Sequence, residues 1–173
     1  DYHPGCRLVF SDDAPDVLAY PQDRQGWAHL CRMLTQANMR EEAQKGAPLL
    51  YWQDLFDWGD NISLAILADF SQPADALLAQ LQPFKDRFGR SAWIALAPLY
   101  KGDDRWRFAQ AASISNELGL PLMATNDVLY HAKDRRALQD VLTAIRLKTT
   151  VPKSGLELEM NAERHLKLPR EMQ

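Results

Sequence analysis

The sequence predicts an α/β fold, and three observations lead to that prediction. Short apolar runs alternate with segments in which apolar residues recur every three or four positions, the pattern of strands followed by helices. This order repeats along most of the 173 residues, which favours mostly parallel strands joined by right-handed crossovers. Hydrophobic residues make up 46% and charged residues 25% of the chain, which is typical of a globular domain with its own core.

Two short strands and a helix are expected first. Apolar runs at residues 7–10 and 17–20 flank a polar turn at residues 11–16, which predicts two strands joined by a tight connection. Residues 39–60 are irregular but rich in aromatic side chains, which predicts a loop or short helix anchored to the core by its rings. Between these segments a helix is predicted from apolar residues at positions i, i+3, i+4 and i+7, namely Trp27, Leu30, Cys31 and Leu34.

The apolar run at residues 62–70 predicts a buried strand. Ser71 is a good N-cap for the helix that follows, and its downstream proline is tolerated in a first helical turn. Pro83 lies inside the helical pattern and predicts a kink or a break there. Gly89 fits the end of the helix.

Two further strand and helix pairs are expected in the second half of the chain. The strands are predicted at residues 93–99 and 120–124, and the helices at residues 105–118 and 135–148. The last helix carries an apolar stripe that is predicted to face the core, formed by Leu138, Val141, Leu142 and Ile145.

Composition excludes some classes of protein. The net charge of −3 gives no sign of a nucleic-acid-binding surface. The two cysteines, Cys6 and Cys31, form no metal-ligand pair, and so few cysteines favour a reducing, cytoplasmic location. The longest apolar run is too short to span a bilayer, so no membrane partner is expected.

One short motif lies where a functional loop is expected. Thr125, Asn126 and Asp127 follow an apolar strand, and active sites of α/β folds lie at the carboxyl ends of strands. Asp127 could bind a cation, and His131 could add an imidazole ligand. The alternative is that the motif only shapes a turn and caps the next element. No HxH, HExxH, phosphate-binding glycine loop or nucleophile elbow accompanies it.

Three stretches carry a resemblance to a known family. Residues 121–146, PLMATNDVLYHAKDRRALQDVLTAIR, resemble a strand end and helix of the PHP (polymerase and histidinol phosphatase) domain in bacterial DNA polymerase III alpha subunits. Residues 161–167, NAERHLK, are similar to the segment that leads from this domain to the palm. The sequences LQDVLTAIR and NAERHL are most similar to the error-prone branch of these subunits. Upstream, RLVF and PQDRQGWAHLCRMLT resemble a strand and helix of the same domain.

The resemblance implies a particular architecture. The family's PHP domain is a distorted (β/α) barrel of seven strands with a metal cluster at their carboxyl ends. Residues 1–150 would form its C-terminal portion, after the first HxH metal motif, and residues 151–173 a connector toward the palm. Asp127 matches the aspartate of the family's last metal motif, Asp-Val-His, but Leu129 stands at the histidine position. His131 could substitute, since alternate residues of an extended chain share a face.

The resemblance also implies a function. We expect a non-catalytic PHP-domain fragment of an error-prone polymerase that acts in DNA-damage-induced translesion synthesis. The alternative is a metal-dependent PHP-type phosphoesterase or proofreading exonuclease, with Asp127 and His131 as ligands of zinc or manganese. The parent polymerase would need magnesium, whereas no cofactor is expected in this segment. Implied partners are DNA through the parent chain, the sliding clamp, other proteins of the mutagenesis cassette, and the rest of the barrel.

Overall fold

Strands and helices alternate along a computed structural model that describes residues 3–172. The strands are β1 (Cys6–Leu8), β2 (Asp16–Pro21), β3 (Ile62–Leu67), β4 (Ala92–Leu96) and β5 (Leu122–Ala124). The α-helices are α1 (Arg24–Met39), α2 (Trp52–Trp58), α3 (Ala74–Phe88), α4 (Asp104–Leu118) and α5 (Arg136–Arg146). A short 3-10 turn at Lys133–Arg135 precedes α5, and three more follow it at Val151–Lys153, Gly155–Glu157 and Pro169–Glu171.

The five strands form one open, mixed sheet in the order β1-β2-β3-β4-β5. The α/β class predicted from the sequence is confirmed. Strands β1 and β2 pair antiparallel, as do β2 and β3, whereas β3 and β4 pair parallel. The expectation of mostly parallel strands therefore fails in the first half. β1 and β2 are joined by a short turn that cannot make a parallel crossover. β2 and β3 are antiparallel although a long connection containing α1 and α2 joins them.

Several element boundaries differ from the sequence expectation. β3 ends at Leu67, because the chain then turns so that the Asp69 carboxylate accepts a hydrogen bond from the Ser71 N–H at 3.0 Å. Helix α3 starts at Ala74 with Pro73 at the N-cap position, so the prediction of Ser71 as N-cap was wrong. The helix continues through Pro83 without a break and ends with Gly89 as its C-cap, as predicted.

The chain divides into two compact units. Unit 1 comprises Asp1–Ala95 and Ala109–Met123, and unit 2 comprises Leu96–Phe108 and Ala124–Gln173. Unit 1 holds most of the buried apolar side chains of residues 3–172. Its largest fully buried side chains come from the sheet and from four of the helices, and include Leu8, Met33, Leu55, Ile62, Leu64, Ile66, Leu77, Leu81, Phe84, Ile94 and Ile114.

Helix α1 packs through a face rotated from the predicted one. Leu30 is buried as expected, but Trp27 is 47% exposed and Cys31 is also exposed. The reason is a close approach at Gly26, where a Cβ atom would lie 2.0 Å from the carbonyl oxygen of Asn61. Only glycine permits that approach. It turns Gly26, Leu30, Met33 and Ala37 toward the core.

Aromatic rings anchor the region of residues 39–60, as the sequence predicts. Helix α2 forms there, and the ring centroids of Trp52 and Phe84 lie 4.0 Å apart at a steep interplanar angle. The Trp52 ring also contacts Phe56 and Phe10, with centroid distances of 4.7 Å and 6.1 Å. Edge-to-face contacts of this kind stabilise a core beyond the area that they bury.

Unit 2 differs from unit 1 in the way its main helix packs. Helix α5 turns Thr143 and Ala144 inward, and both are buried. The predicted core stripe faces outward, so that prediction was wrong. Its four members are 44–66% exposed, namely Leu138, Val141, Leu142 and Ile145. The sequence pattern identified the helix and its apolar face but not the direction in which that face points.

Within residues 3–172, no helix is both long and apolar enough to cross a membrane.

Candidate functional site

The predicted motif lies directly after β5, in unit 2. The Thr125 N–H donates to the Leu96 carbonyl at 3.0 Å, which holds the start of the loop. Asn126 is buried, and its side-chain amide donates to the backbone carbonyl of His165. Asp127 has a φ of 41°, in the left-handed region that aspartate tolerates better than most residues. The chain therefore turns sharply at Asp127 and presents its carboxylate.

Arg164 binds that carboxylate. One guanidinium nitrogen contacts the Asp127 carboxylate, and Nε donates to the Asp127 backbone carbonyl at 2.9 Å. The other terminal nitrogen, Nη1, lies 2.5 Å from the Glu159 carboxylate. The side chain of Arg164 is only 16% exposed. A planar guanidinium with several donors can serve two carboxylates at once, so Arg164 joins Asp127 to Glu159.

Backbone pairing extends this junction. Tyr130 and His165 form a parallel bridge, in which the Leu129 N–H donates to the Arg164 carbonyl and the Leu166 N–H donates to the Tyr130 carbonyl, both at 2.9 Å. Burial raises the pKa of the Tyr130 hydroxyl, and the negative charge of Glu159 raises it further. The Tyr130 hydroxyl therefore stays protonated at neutral pH.

The NAERHL segment (residues 161–166) supplies further contacts in unit 2. The Asn161 amide donates to the Leu99 carbonyl at 2.7 Å. Glu163 lies between Lys167 at 3.2 Å and Lys133 at 3.3 Å. The Lys167 hydrogen bond, and then that of Lys133, holds the pKa of the Glu163 carboxyl below its ordinary value. This segment is thus a set of polar anchors.

The two predicted metal ligands have different environments. The Asp127 carboxylate is engaged by Arg164, as described above. His131 is exposed and lines a cleft of about 230 Å³ together with Leu129, Arg135, Leu138 and others. Among residues 3–172, no group of three or more histidine, cysteine, aspartate or glutamate side chains is arranged to hold a metal ion. Asp127 and His131 remain predicted ligands.

Sequence reasoning missed Arg164 and Glu159, the two residues that determine the surroundings of Asp127. They lie 37 and 32 positions further along the chain, so no local spacing rule connects them with the loop. A signal for Arg164 was nevertheless present, because it belongs to the NAERHL segment that carried the family resemblance. Polar residues in a connector are commonly taken as solvated, and here they are half-buried anchors.

Comparison with known proteins gives one consistent result. No family model matches the chain. A protein of Mesorhizobium japonicum named error-prone DNA polymerase is 61% identical over 171 residues, which is 99% of this chain and 15% of that protein. Proteins of the same name from Sinorhizobium medicae and Brucella abortus are each 45% identical, over 99% and 97% of this chain. The chain is thus similar along its length to one segment of these polymerases and spans about 15% of their length.

Proposed function

We propose that this chain is the later part of the PHP domain of an error-prone DNA polymerase III alpha-type subunit. In this proposal residues 1–150 belong to a distorted (β/α) barrel and residues 151–173 connect it to the palm. The observation that carries the proposal is the match of 99% of the chain, at 61% identity, to a segment of a protein named error-prone DNA polymerase. At such identity over this length, two chains share a fold and the placement of most side chains.

We further propose that the segment is a non-catalytic scaffold. The ion pair between Asp127 and Arg164 supports this, because a guanidinium bound to the carboxylate competes with a cation for the same oxygens. Leu129, at the position where the family motif has histidine, supports it as well. The scaffold would fix the path of the NAERHL segment, and thereby the middle of the connector at residues 151–173.

The parent chain supplies the wider context of the proposal. It would be a DNA-directed DNA polymerase, a magnesium-dependent nucleotidyltransferase that extends primers across damaged template in the cytoplasm. Contacts with DNA, the sliding clamp and other mutagenesis-cassette proteins would be made mostly by parts outside these 173 residues. The alternative function is a metal-dependent phosphoesterase or exonuclease that uses Asp127 and His131.

A paired measurement on the full-length polymerase separates the two functions. The wild type and the double variant D127N/H131Q are purified in parallel, and zinc and manganese are quantified by elemental analysis. Phosphoesterase and exonuclease activities are assayed on the same samples. Asparagine at position 127 can still accept a hydrogen bond from Arg164, so the variant removes candidate ligands while sparing the local contact. The control makes the same two types of substitution at exposed positions elsewhere in the chain, D57N/H3Q.

For the scaffold, we expect metal content and hydrolytic activity to be equal in all three proteins. If D127N/H131Q alone lost both one equivalent of metal and the hydrolytic activity, the phosphoesterase function would be established. The polymerase assignment has its own test, which is primer extension by the full-length wild type on a template with an abasic site. A well-folded protein without template-directed extension would refute that assignment.

A further inference from the structure

Helix α5 exposes its apolar stripe and buries the opposite side. Successive residues of an α-helix are separated by about 100°, which places Leu138, Val141, Leu142 and Ile145 in one stripe. Arg136, Asp140, Thr143 and Ala144 occupy the opposite side, and that side faces the rest of unit 2. Arg136 donates to the Glu159 carbonyl at 2.5 Å, and both Thr143 and Ala144 are buried. A helix of a globular protein ordinarily buries its apolar stripe, so the outward stripe requires an explanation.

The exposed stripe continues into the cleft lined by His131. Leu138 and Leu142 form part of the wall of this cleft, and Leu129 and Tyr130 contribute from the loop after β5. Its volume is about 230 Å³, and a cavity of about 150 Å³ is enough for a benzene ring. The surface therefore combines an apolar ridge with a recess for one large apolar side chain. We call this combination the α5 face.

We propose that the α5 face docks against an apolar surface from the remainder of the same polymerase chain. The inference rests on the proposed function, since it takes these residues as one segment of a longer polypeptide. The matched relatives have most of their length outside the region of similarity, so such a chain has ample material to cover the face. The largest contiguous apolar patch on a folded protein is often a functional contact surface.

The size of the α5 face favours a covalently connected partner. The helix has 11 residues and is about 16 Å long, so its stripe offers on the order of a few hundred Å². A stable complex of separate proteins buries roughly 1,000 Å² or more. A connected segment needs less, because the covalent link raises its effective concentration near the face.

Charge adds a feature to the rim of the α5 face. Arg135 precedes the helix, is 53% exposed and lies 3.8 Å from the Asp134 carboxylate. Arg146, the last residue of the helix, is exposed as well. The expected partner surface is therefore apolar at its centre, with an acidic residue near Arg146 at its rim.

Cysteine labelling of the full-length polymerase tests the proposal. Ile145→Cys places a thiol at the most exposed position of the stripe, near the C-terminal end of α5, and Met39→Cys is the matched control at the 78% exposed end of α1. The native protein is treated with N-ethylmaleimide, and peptide mass mapping separates these sites from Cys6 and Cys31. Light scattering of the same sample gives the oligomeric state. A photo-crosslinking residue at position 142 then identifies the covering segment.

We expect the thiol introduced at position 145 of the monomer to react about ten-fold or more slowly than the one at position 39, because a covered thiol reacts only after local opening. The crosslink should join position 142 to a peptide of the same chain outside residues 1–173. Equal labelling rates, protection only in a dimer, or a crosslink to a second copy would each overturn the proposal. If the proposed function were wrong, the wild type would show no primer extension. The labelling ratio could still be measured on the same protein, so the two outcomes are distinguishable.

Discussion

Asp54 shows how a single buried charge shapes unit 1. Its side chain is only 4% exposed and forms a two-pronged ion pair with Arg40, with nitrogen–oxygen distances of 2.6 Å and 2.8 Å. The same carboxylate accepts a hydrogen bond from the Tyr51 N–H at the start of α2. Burial alone would raise the pKa of Asp54, but these hydrogen bonds and the charge of Arg40 outweigh it and lower that pKa. Asp54 therefore ties the end of α1 to the beginning of α2.

Asp54→Asn should lower the free energy of unfolding by about 3 kcal/mol, the lower end of the range for breaking a buried ion pair, since Arg40 is partly exposed. Urea denaturation at pH 7 measures it. Asp57→Asn, an exposed change in the same helix, is the control and should alter stability by about 0.5 kcal/mol or less. Equal effects of the two substitutions would contradict the role given to Asp54.

The same pair predicts a pH dependence. Because the folded pKa of Asp54 is depressed, its contribution is fully present above the ordinary carboxyl value of 3.8 and is lost as the pH falls through the folded value. The stability difference between wild type and Asp54→Asn should thus be constant from pH 7 to pH 5 and should shrink in stronger acid. Denaturation curves across this range measure it, and a difference that grew toward low pH would be inconsistent with the ion pair.

Arg164 is the corresponding residue in unit 2. Arg164→Ala removes hydrogen bonds to two carboxylates and one carbonyl, and we expect a loss of about 1.5–3 kcal/mol, the range for hydrogen bonds to charged groups. Asp127→Ala should act in the same direction. In the proposed parent polymerase it should lower the melting temperature while primer extension below that temperature is largely retained. Arg170→Ala, at an exposed position, is the control. A variant of Asp127 that melts normally yet loses primer extension would show that the carboxylate has a chemical role.

At the scale of elements, α5 makes the sharpest prediction. Leu142→Ala should change the stability of this chain by only about 0.5 kcal/mol, because the side chain is 52% exposed. Ala144→Leu, on the inward side, should cost about 1–3 kcal/mol through overpacking. Thermal unfolding of both variants measures the contrast. A larger loss of stability in Leu142→Ala than in Ala144→Leu would mean that the apolar stripe belongs to the core.

The elements also show what the sequence can predict and what it cannot. Periodicity correctly placed α1, α3, α4 and α5, since it depends only on residues a few positions apart. It misassigned Trp27 because the contact between Gly26 and Asn61 spans 35 positions. The wrong prediction for the α5 stripe has a different cause. In the proposed parent chain, the stripe is covered by residues that lie outside this sequence. Likewise the loop of Asp127 was located, but its partner Arg164 was not.

At the scale of the whole molecule, the two units should differ in stability. Of the buried apolar residues that the structure describes, unit 2 contributes only Ala97, Tyr130 and Ala144. Hydrophobic burial is the main stabilising term in folding, so unit 2 should open at lower free energy than unit 1. Hydrogen–deuterium exchange of this chain should show faster exchange in α5 than in β2 and β3. Uniform exchange across both units would contradict this expectation.

The parallel bridge between Tyr130 and His165 has a mechanical consequence. The chain enters the bridge from β5 at one end and leaves it after Leu166 at the other. A pull on the residues after Leu166, resisted at β5, therefore loads the Leu129–Arg164 and Leu166–Tyr130 hydrogen bonds in shear, together with the Asp127–Arg164 ion pair. Bonds loaded in shear share the force and do not open one after another. Under tension we therefore expect this junction to resist separation more strongly than a junction whose hydrogen bonds open one at a time.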